Sequence, residues 1–359
     1  MTRARVLVVD DSVVVRRTLG RVLEADPEIE FVGSADGARQ ALPRIQELQP
    51  DFVILDVEMP EVSGLEAIPL IRHAAPDARI IMYSGLTARG ASITLDALAL
   101  GAADYVAKPS GVTGSVQAEA RIRTELLGKI KGLWRRDAVA PRRPYGTTVP
   151  MTHAPASARA EIVAIGASTG GPNALVEVLG RLRPTFSAPI LIVQHMPPVF
   201  TRLLAERIAQ RTGRSCVEAR DGDEVAPHRV YLAPGDHHMV VARSGSRVVV
   251  RLNHEQAENY CRPSVDVLLR SLAPIYGARA LAVILTGMGQ DGSRGCRDIV
   301  VAGGQVLAQD KGSSVVWGMP GQVISTGLAD EVVPLSDMAE GIRRRVAPAM
   351  ERVGRVHAG

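Results

Sequence analysis

Three carboxylates in the N-terminal third of the chain could share a hard divalent cation. Asp10 and Asp11 follow the first apolar run, and Asp56 ends the third. The carboxyl ends of parallel strands meet at one edge of an open sheet, so these side chains should converge there. A cation with oxygen ligands is the natural way to hold so much negative charge, and Lys108 is placed to reach the same edge.

The same residues suit the phosphorylation of an aspartate. A phosphorylated carboxylate needs a metal to neutralise the phosphoryl oxygens, a lysine to bind one of them, and a mobile hydroxyl to approach another. Ser84, at the end of the fourth apolar run, supplies that hydroxyl. Asp10-Asp11 alone could be a helix cap, and Lys108 alone could be a surface lysine. Their combination with Asp56 and Ser84 favours a functional site.

A serine nucleophile is the second candidate chemistry. The run Glu161–Ile165 leads into Gly166-Ala167-Ser168-Thr169-Gly170-Gly171-Pro172, ahead of a predicted helix. The glycines allow a sharp turn that exposes Ser168 near the positive end of the helix dipole. A plain tight turn or a dinucleotide-binding turn would use similar residues. The dinucleotide interpretation requires an acid at the end of the next strand, where the chain instead has Gln194-His195.

His195 and Asp291 could complete the site around Ser168. His195 leaves the strand that follows the serine turn, within reach as an acid–base partner. Asp291 lies in a glycine-dense loop, Thr286–Gly292, after another predicted strand. Its carboxylate could orient the imidazole while backbone N–H groups of the loop bind an oxyanion. The order Ser, His, Asp differs from that of α/β-hydrolases, which indicates a different scaffold.

Two α/β domains are needed to position these groups, because 359 residues exceed what one core normally holds. Residues 1–127 alternate apolar runs with helical stretches, which is typical of a five-stranded doubly wound parallel sheet. The predicted strands are Ala4–Asp10, Phe31–Ala35, Phe52–Asp56, Arg79–Ser84 and Tyr105–Ala107. Residues 128–158 are rich in proline and arginine and are interpreted as a linker.

The alternation resumes over 159–349 and predicts an α/β domain with a mostly parallel sheet and an antiparallel hairpin around Met239–Leu252, followed by a tail, 350–359. Its predicted strands are Glu161–Gly166, Pro189–Gln194, Arg229–Ala233, Ser246–Leu252, Ala280–Thr286 and Gln305–Gln309.

Composition excludes several classes of protein. No apolar stretch reaches the roughly 18 residues of a membrane span, so we expect a cytoplasmic protein that is not membrane-inserted. The three cysteines, Cys216, Cys261 and Cys296, are odd in number and widely spaced, so we expect reduced and mostly buried thiols without a disulfide or structural zinc. The net charge of +4 comes partly from the linker, and without a DNA-binding motif we expect no nucleic-acid partner. We also expect a monomer.

Residues 3–125 resemble the receiver domains of bacterial two-component response regulators. The motifs that carry this resemblance are Asp10-Asp11, Asp56, Ser84 and Lys108-Pro109. It implies that Asp56 accepts a phosphoryl group. The implied Mg²⁺ ligands are Asp10, Asp11, Asp56 and the backbone carbonyl of Glu58. The implied switch residues are Ser84, Tyr105 and Lys108.

Residues 160–347 resemble the catalytic domain of the chemotaxis protein-glutamate methylesterases, which usually follows a receiver. The motifs that carry this resemblance are Gly166–Pro172, His195-Met196-Pro197, Pro234-Gly235-Asp236, Pro263-Ser264-Val265-Asp266, Thr286–Gly292 and Ser313–Pro320. It implies that Ser168 is the nucleophile, His195 the acid–base group and Asp291 the acid that orients the imidazole. The Met288 backbone N–H would help to bind the oxyanion, and the Thr169 hydroxyl would help to position His195.

The resemblance implies hydrolysis of glutamate γ-methyl esters, and deamidation of certain glutamines, on the cytoplasmic domains of methyl-accepting chemotaxis receptors. A chemotaxis histidine kinase would supply the phosphoryl group, and the hydrolytic step would need no cofactor. We expect the unphosphorylated receiver to block Ser168 until phosphorylation releases it. Two alternatives stay open: a non-enzymatic response regulator with a protein-binding output domain, and the same esterase in a non-motility chemosensory pathway.

Overall fold

The computed structural model describes residues 3–108, 119–120, 122–134, 158–183 and 185–346. Both predicted domains fall largely within these ranges. Of the predicted linker, residues 128–134 and 158 are described, and the predicted tail at 350–359 lies outside the described residues.

A parallel sheet of five strands lies at the centre of the N-terminal domain, in the order β2-β1-β3-β4-β5. The strands are β1 (Ala4–Val9), β2 (Ile29–Ala35), β3 (Phe52–Asp56), β4 (Arg79–Ser84) and β5 (Asp104–Ala107). Four helices connect them: α1 (Val13–Glu24), α2 (Ala38–Leu48), α3 (Gly64–Ala74) and α4 (Ala88–Ala99). Helices cover both faces, which explains the nearly uninterrupted apolar runs of β1 and β3. The predicted doubly wound sheet is confirmed.

A fifth helix, α5 (Gly128–Trp134), follows a π-helical turn at Arg123–Leu127. The predicted linker therefore begins with a helix. Ile130 and Leu133 are buried against the sheet beside α1, and this packing compensates for the low helix propensity of Gly128 and Gly132.

The C-terminal domain is built on a parallel sheet of seven strands, in the order β14-β13-β12-β6-β7-β9-β8. The strands are β6 (Ile162–Ala167), β7 (Ile190–Gln194), β8 (Ser215–Glu218), β9 (Arg229–Leu232), β12 (Ala280–Ile284), β13 (Gln305–Gln309) and β14 (Glu331–Val333). The edge strands β8 and β14 were not predicted. The antiparallel hairpin is confirmed as β10 (His238–Ser244) and β11 (Arg247–Asn253).

Six helices pack around this sheet within the described residues: α6 (Gly171–Arg181), α7 (Phe200–Thr212), α8 (Val265–Tyr276), α9 (Ser293–Val301), α10 (Met319–Ser325) and α11 (Leu335–Arg345). The strand order changes direction between β6 and β12, where the chain continues outward on both sides. Parallel α/β sheets form their binding crevice at such a point, beyond the carboxyl ends of the strands. The glycine-rich segments after β6 and β12 meet there.

The two domains share one continuous apolar core. Helix α4 of the first domain packs against α6 and α7 of the second, and the rings of Tyr105 and Phe200 stack across the boundary with centroids 4.7 Å apart. In the described part of the chain, no helix has both the length and the apolar character needed to cross a membrane.

Candidate active site and phosphorylation site

An acidic pocket opens where the strand order of the N-terminal sheet reverses, between β1 and β3. Asp10 and Asp56 are buried there, while Asp11 is exposed at the rim. Lys108 Nζ lies 2.7 Å from Asp56 Oδ1 and 3.3 Å from Asp10 Oδ2. One carboxylate oxygen from each of the three acids falls within 4.8 Å of the others. The three acids and the lysine predicted to converge do so.

The electrostatics of this pocket favour an added cation. Burial raises the pKa of Asp56 to about 6, and the charge of Asp10 adds to it, although Lys108 opposes both. Burial likewise raises the pKa of Asp10, whose buried Oδ2 accepts no well-directed hydrogen bond from the described residues. One ammonium group thus faces two buried carboxylates. A divalent cation with oxygen ligands fits this donor set.

The remaining receiver residues surround this pocket. The Glu58 backbone N–H donates to Asp56 Oδ1 at 3.4 Å. Ser84 is buried, and its hydroxyl donates to the Gly90 carbonyl at 3.2 Å, so it points into the start of α4. Its own carbonyl accepts from the Lys108 backbone N–H at 2.6 Å. Tyr105 is turned into the domain boundary rather than toward Asp56.

Ser168 occupies the turn between β6 and α6. Its backbone N–H donates to the Thr286 carbonyl at 3.0 Å, and its carbonyl accepts from Gly171 N at 2.8 Å and Gln194 Nε2 at 2.9 Å. Gly170 completes the turn with φ 78°, and a Cβ there would lie 2.6 Å from the Val315 side chain. Within the described residues the Ser168 hydroxyl has no hydrogen-bond partner, so it is free to react.

His195 and Asp291 meet beside this turn. The His195 backbone N–H donates to the Ala167 carbonyl at 3.2 Å, which places it next to Ser168 at neighbouring strand ends. His195 Nε2 lies 2.8 Å from Asp291 Oδ2, and Asp291 is 2% exposed. The structure thus brings the imidazole and the carboxylate into direct contact beside the serine turn.

A network of donors holds Asp291 ionised and fixed. Its Oδ2 also accepts from Val265 N at 2.7 Å, at the start of α8. Its Oδ1 accepts from Ser264 Oγ at 2.8 Å, Asn259 Nδ2 at 3.0 Å, Asp266 N at 3.1 Å and Gly292 N at 3.1 Å. Burial alone would raise the pKa of Asp291, but the bond from His195 and these donors hold it well below its usual range. No role for Ser264 or Asn259 was predicted, although a serine directly before a helix marks a helix N-terminus, where anions can bind.

The second ring nitrogen of His195 faces a thiol. Cys261 Sγ lies 3.6 Å from His195 Nδ1, and Cys261 is only half-buried. Burial disfavours the imidazolium, but the Cys261 sulfur and Asp291 together outweigh it and raise the pKa of His195 to about 10. The expectation of mostly buried thiols is confirmed: Cys216 and Cys296 are buried, and Cys261 is half-buried beside the imidazole.

Thr169 contacts the receiver instead of His195. Its hydroxyl donates to Asp104 Oδ2 at 2.6 Å, and both side chains are buried. The expected role in positioning the imidazole is therefore not what this arrangement gives. Met288, in the loop after β12, is 36% exposed, and its side chain packs on the glycines of α5: the Gly132 Cβ position lies 3.3 Å from Met288 Sδ.

Further contacts attach the receiver to this face of the C-terminal domain. Asn173 Nδ2 donates to the Leu98 carbonyl at 2.8 Å, and Arg207 Nη1 lies 2.6 Å from Asp96 Oδ1. The Tyr105–Phe200 stack adds an aromatic contact to this boundary. The receiver thus contacts Thr169, the residue next to the candidate nucleophile.

Comparison with known proteins assigns each domain to a family. Residues 163–342 match the CheB methylesterase family model, and residues 6–118 match the response regulator receiver domain model. A protein-glutamate methylesterase/protein-glutamine glutaminase from Trichodesmium erythraeum is 45% identical over 96% of this chain and all of its own length. One of the same name from a Nocardioides species is 46% identical over 97% of this chain and 96% of its own.

A solved structure gives the same result for the second domain. The CheB methylesterase catalytic domain of Thermotoga maritima is 44% identical, with a TM-score of 0.51, and is covered completely by 53% of this chain. The chain belongs to the CheB methylesterase family and carries a response regulator receiver domain at its N-terminus.

Proposed function

We propose that this protein is a phosphorylation-activated methylesterase that hydrolyses glutamate γ-methyl esters on the cytoplasmic domains of methyl-accepting chemotaxis receptors and deamidates selected glutamines. The 2.8 Å contact between His195 and Asp291, beside a Ser168 hydroxyl that no described residue hydrogen-bonds, carries this proposal. The names of the homologous proteins support the substrate class. The enzyme would act in the cytoplasm, where the receptor domains lie.

The chemistry is acyl transfer through a covalent intermediate. Ser168 Oγ attacks the γ-carbonyl carbon while His195 takes the hydroxyl proton. The tetrahedral intermediate collapses, the C–O bond to the methoxy group breaks, and His195 returns the proton to release methanol. Water then attacks the acyl-serine by the same proton route and yields free glutamate. A glutamine substrate would release ammonia in the first half.

Asp291 keeps the imidazole ready for both proton transfers. It accepts from Nε2, so Nδ1 is the nitrogen that must receive the proton from Ser168. Because the pKa of Asp291 is held low, it stays ionised when the imidazolium forms. Nδ1 faces Cys261 in the docked structure, so the ring must turn toward Ser168 when substrate binds. Catalytic contacts of this kind commonly tighten only in the substrate complex.

The oxyanion would be bound by backbone N–H groups of the Thr286–Gly292 loop, including that of Met288. This loop is anchored, since Gly287 N donates to the Val316 carbonyl at 3.0 Å and Met319 N donates to the Gly287 carbonyl at 2.8 Å. A fixed loop provides donors that need no reorganisation during the reaction.

Phosphorylation of Asp56 by a chemotaxis histidine kinase would control the enzyme. Mg²⁺ would be held by Asp10, Asp11, Asp56 and the Glu58 carbonyl, where it would neutralise the incoming phosphoryl oxygens. Lys108 would bind one of those oxygens, and Ser84 would leave the Gly90 carbonyl to approach another. Movement of Ser84 and Tyr105 would loosen the boundary between the domains.

The docked receiver would keep the enzyme inactive in its unphosphorylated form. Asp104 binds Thr169, the residue next to the nucleophile, and Phe200 is covered by Tyr105. A receptor helix, about 10 Å wide, needs this face free. A chain that begins near residue 159 should therefore be more active than the unphosphorylated full chain, and equal activity would contradict the autoinhibition.

One assay tests the proposal as a whole. Receptor membranes carrying labelled methyl esters are incubated with the full chain, with and without a small phosphodonor and Mg²⁺, and released methanol is measured. We expect slow release without the phosphodonor and faster release with it. Absence of release under both conditions, from protein that still becomes phosphorylated, would favour a regulator that only binds its partner.

A further inference from the structure

We propose that Cys261 and His195 form a binding site for a soft divalent cation, with Zn²⁺ as the representative ion, and that occupation of this site inhibits the esterase. The site consists of Cys261 Sγ and His195 Nδ1 as ligands, with Asp291 behind the imidazole. The inhibition rests on the proposed function; the binding of the cation does not.

The separation of the two ligand atoms matches a tetrahedral zinc centre. Zinc binds thiolate at about 2.3 Å and imidazole at about 2.0–2.1 Å, so a tetrahedral angle puts the two ligand atoms about 3.5–3.6 Å apart. Cys261 Sγ and His195 Nδ1 lie 3.6 Å apart. A cation can therefore replace the proton between them without moving either residue far.

Asp291 gives the imidazole the support that zinc-binding histidines usually have. Such histidines donate their other ring N–H to a carboxylate, which fixes the ring and increases its basicity. His195 Nε2 makes this contact with Asp291 Oδ2 at 2.8 Å, and Asp291 is itself fixed by several donors. Nδ1 is thus the ring nitrogen that faces Cys261, and a cation bound there would displace its proton.

The loop around Cys261 is also fixed in place. Cys261 N donates to the Glu258 carbonyl at 2.9 Å, and Glu258 N donates to the Cys261 carbonyl at 3.2 Å. Asn259, within this turn, donates to both Asp266 and Asp291. The thiol and the imidazole are therefore held by one network, which reduces the reorganisation needed for binding.

Cys261 differs from the other two cysteines in this respect. Among the described residues, neither Cys216 nor Cys296 joins a group of ligand side chains, and both are buried. Cys261 and His195 are half-buried and open to a small ion. Water would complete the coordination shell, and a hydrated cation is small enough to enter while the receiver excludes a receptor helix.

Binding would stop the reaction because it occupies the lone pair that catalysis uses. Nδ1 must take the Ser168 proton, since Nε2 is hydrogen-bonded to Asp291. A cation on Nδ1 removes the general base whether or not Asp56 is phosphorylated. Inhibition should therefore be of similar extent with and without the phosphodonor.

Calorimetric titration of the reduced full chain with Zn²⁺, in excess Mg²⁺ to saturate the acidic pocket at Asp56, tests the binding. Cys261→Ser removes a direct ligand, so it should weaken the zinc affinity by at least the roughly 10- to 100-fold that loss of an outer-shell partner costs. Cys216→Ser is the matched control and should leave the affinity unchanged. Co²⁺ in place of Zn²⁺ should give a thiolate charge-transfer absorption in the wild type that is absent in Cys261→Ser.

The same preparation separates this inference from the esterase proposal. Ser168→Ala should bind Zn²⁺ and show the Co²⁺ absorption as the wild type does, although it releases no methanol. In the active wild type, Zn²⁺ should inhibit methanol release, a chelator should reverse the inhibition, and Cys261→Ser should resist it. Equal affinity of wild type and Cys261→Ser, or a Co²⁺ complex without thiolate absorption, would overturn the inference even if the esterase activity is present.

Discussion

The hydrogen bond between Thr169 and Asp104 allows the control by the receiver to be tested with a single side chain. Thr169 Oγ1 lies 2.6 Å from Asp104 Oδ2, and each residue is 4% exposed. Asp104 belongs to the receiver and Thr169 to the serine turn, so the bond exists only when the domains are docked. Asp104→Ala removes it. Lys129, which lies 3.1 Å from Asp104 Oδ1, keeps Glu125 and the Tyr105 carbonyl as partners.

The expected increase in hydrolysis by Asp104→Ala follows from the burial of this hydrogen bond. A hydrogen bond to a charged group contributes about 1.5–3 kcal/mol, which corresponds to a shift of about 10- to 150-fold in the equilibrium between docked and released receiver. Hydrolysis without phosphodonor should rise by up to this factor, limited by the activity of a chain that begins near residue 159. Asp96→Ala is the matched control, because its ion pair with Arg207 is half exposed on the Asp96 side. Such pairs contribute about 0.2–1 kcal/mol, or about 1.4- to 5-fold.

The assay is methanol release from methyl-labelled receptor membranes without phosphodonor, with phosphorylation of Asp56 measured on the same preparations as a check on the receiver fold. We expect the order Asp104→Ala, then Asp96→Ala, then wild type. If Asp104→Ala were phosphorylated normally but hydrolysed esters no faster than Asp96→Ala, the buried bond would not contribute to inhibition and the reasoning would be refuted.

Three further predictions follow from the site geometry. Ser168→Ala should lower methanol release by more than about 1,000-fold while Asp56 is still phosphorylated, and persisting activity would place the nucleophile elsewhere. Asp291→Asn should lower kcat by about 10,000-fold, since the amide favours the wrong imidazole tautomer. A kcat within tenfold of wild type would show that the carboxylate does not orient the imidazole. Burial raises the pKa of Asp56 to about 6 in the folded chain, whereas an unfolded aspartate titrates near 4. As the pH rises from about 4 to 6, the unfolded chain therefore loses this proton before the folded chain does, and the free energy of unfolding falls. Mg²⁺ binds the ionised carboxylates, so it should raise Tm more at pH 7 than at pH 5, and an equal rise at both would contradict the proton competition.

The main features of the fold and the placement of the site could be predicted because they depend on local periodicity and on one rule of α/β topology. The apolar runs of β1, β3, β6 and β12 are visible in the sequence, and residues that follow parallel strands meet at their carboxyl ends. Ser168, His195 and Asp291 are all of this type. Their convergence required only that the strands be neighbours, as they are in the order β12-β6-β7.

Contacts between segments that are distant in sequence could not be predicted, since they leave no periodic pattern in the sequence. Thr169 bonds to Asp104 across 65 residues of sequence, and Cys261 reaches His195 across 66. Whether the Thr169 side chain faces a histidine of its own domain or an acid of the other domain depends on how the domains dock. Helix α5 was missed for a similar reason, because its stability comes from packing of Ile130 and Leu133 on the sheet and not from propensity.

Strand β5 explains how two sites in different domains can be coupled. Asp104 and Tyr105, at its start, contact Thr169 and Phe200, and Lys108 follows its end and contacts Asp56. Four residues of strand span only about 13 Å. A phosphoryl group that binds Lys108 would therefore act on β5, the same short strand that contacts the serine turn. Coupling of this kind is reciprocal for equilibrium binding. If phosphorylation releases the receiver as proposed, docking of the receiver on the catalytic domain must weaken its affinity for phosphoryl ligands by the same factor by which those ligands weaken the docking.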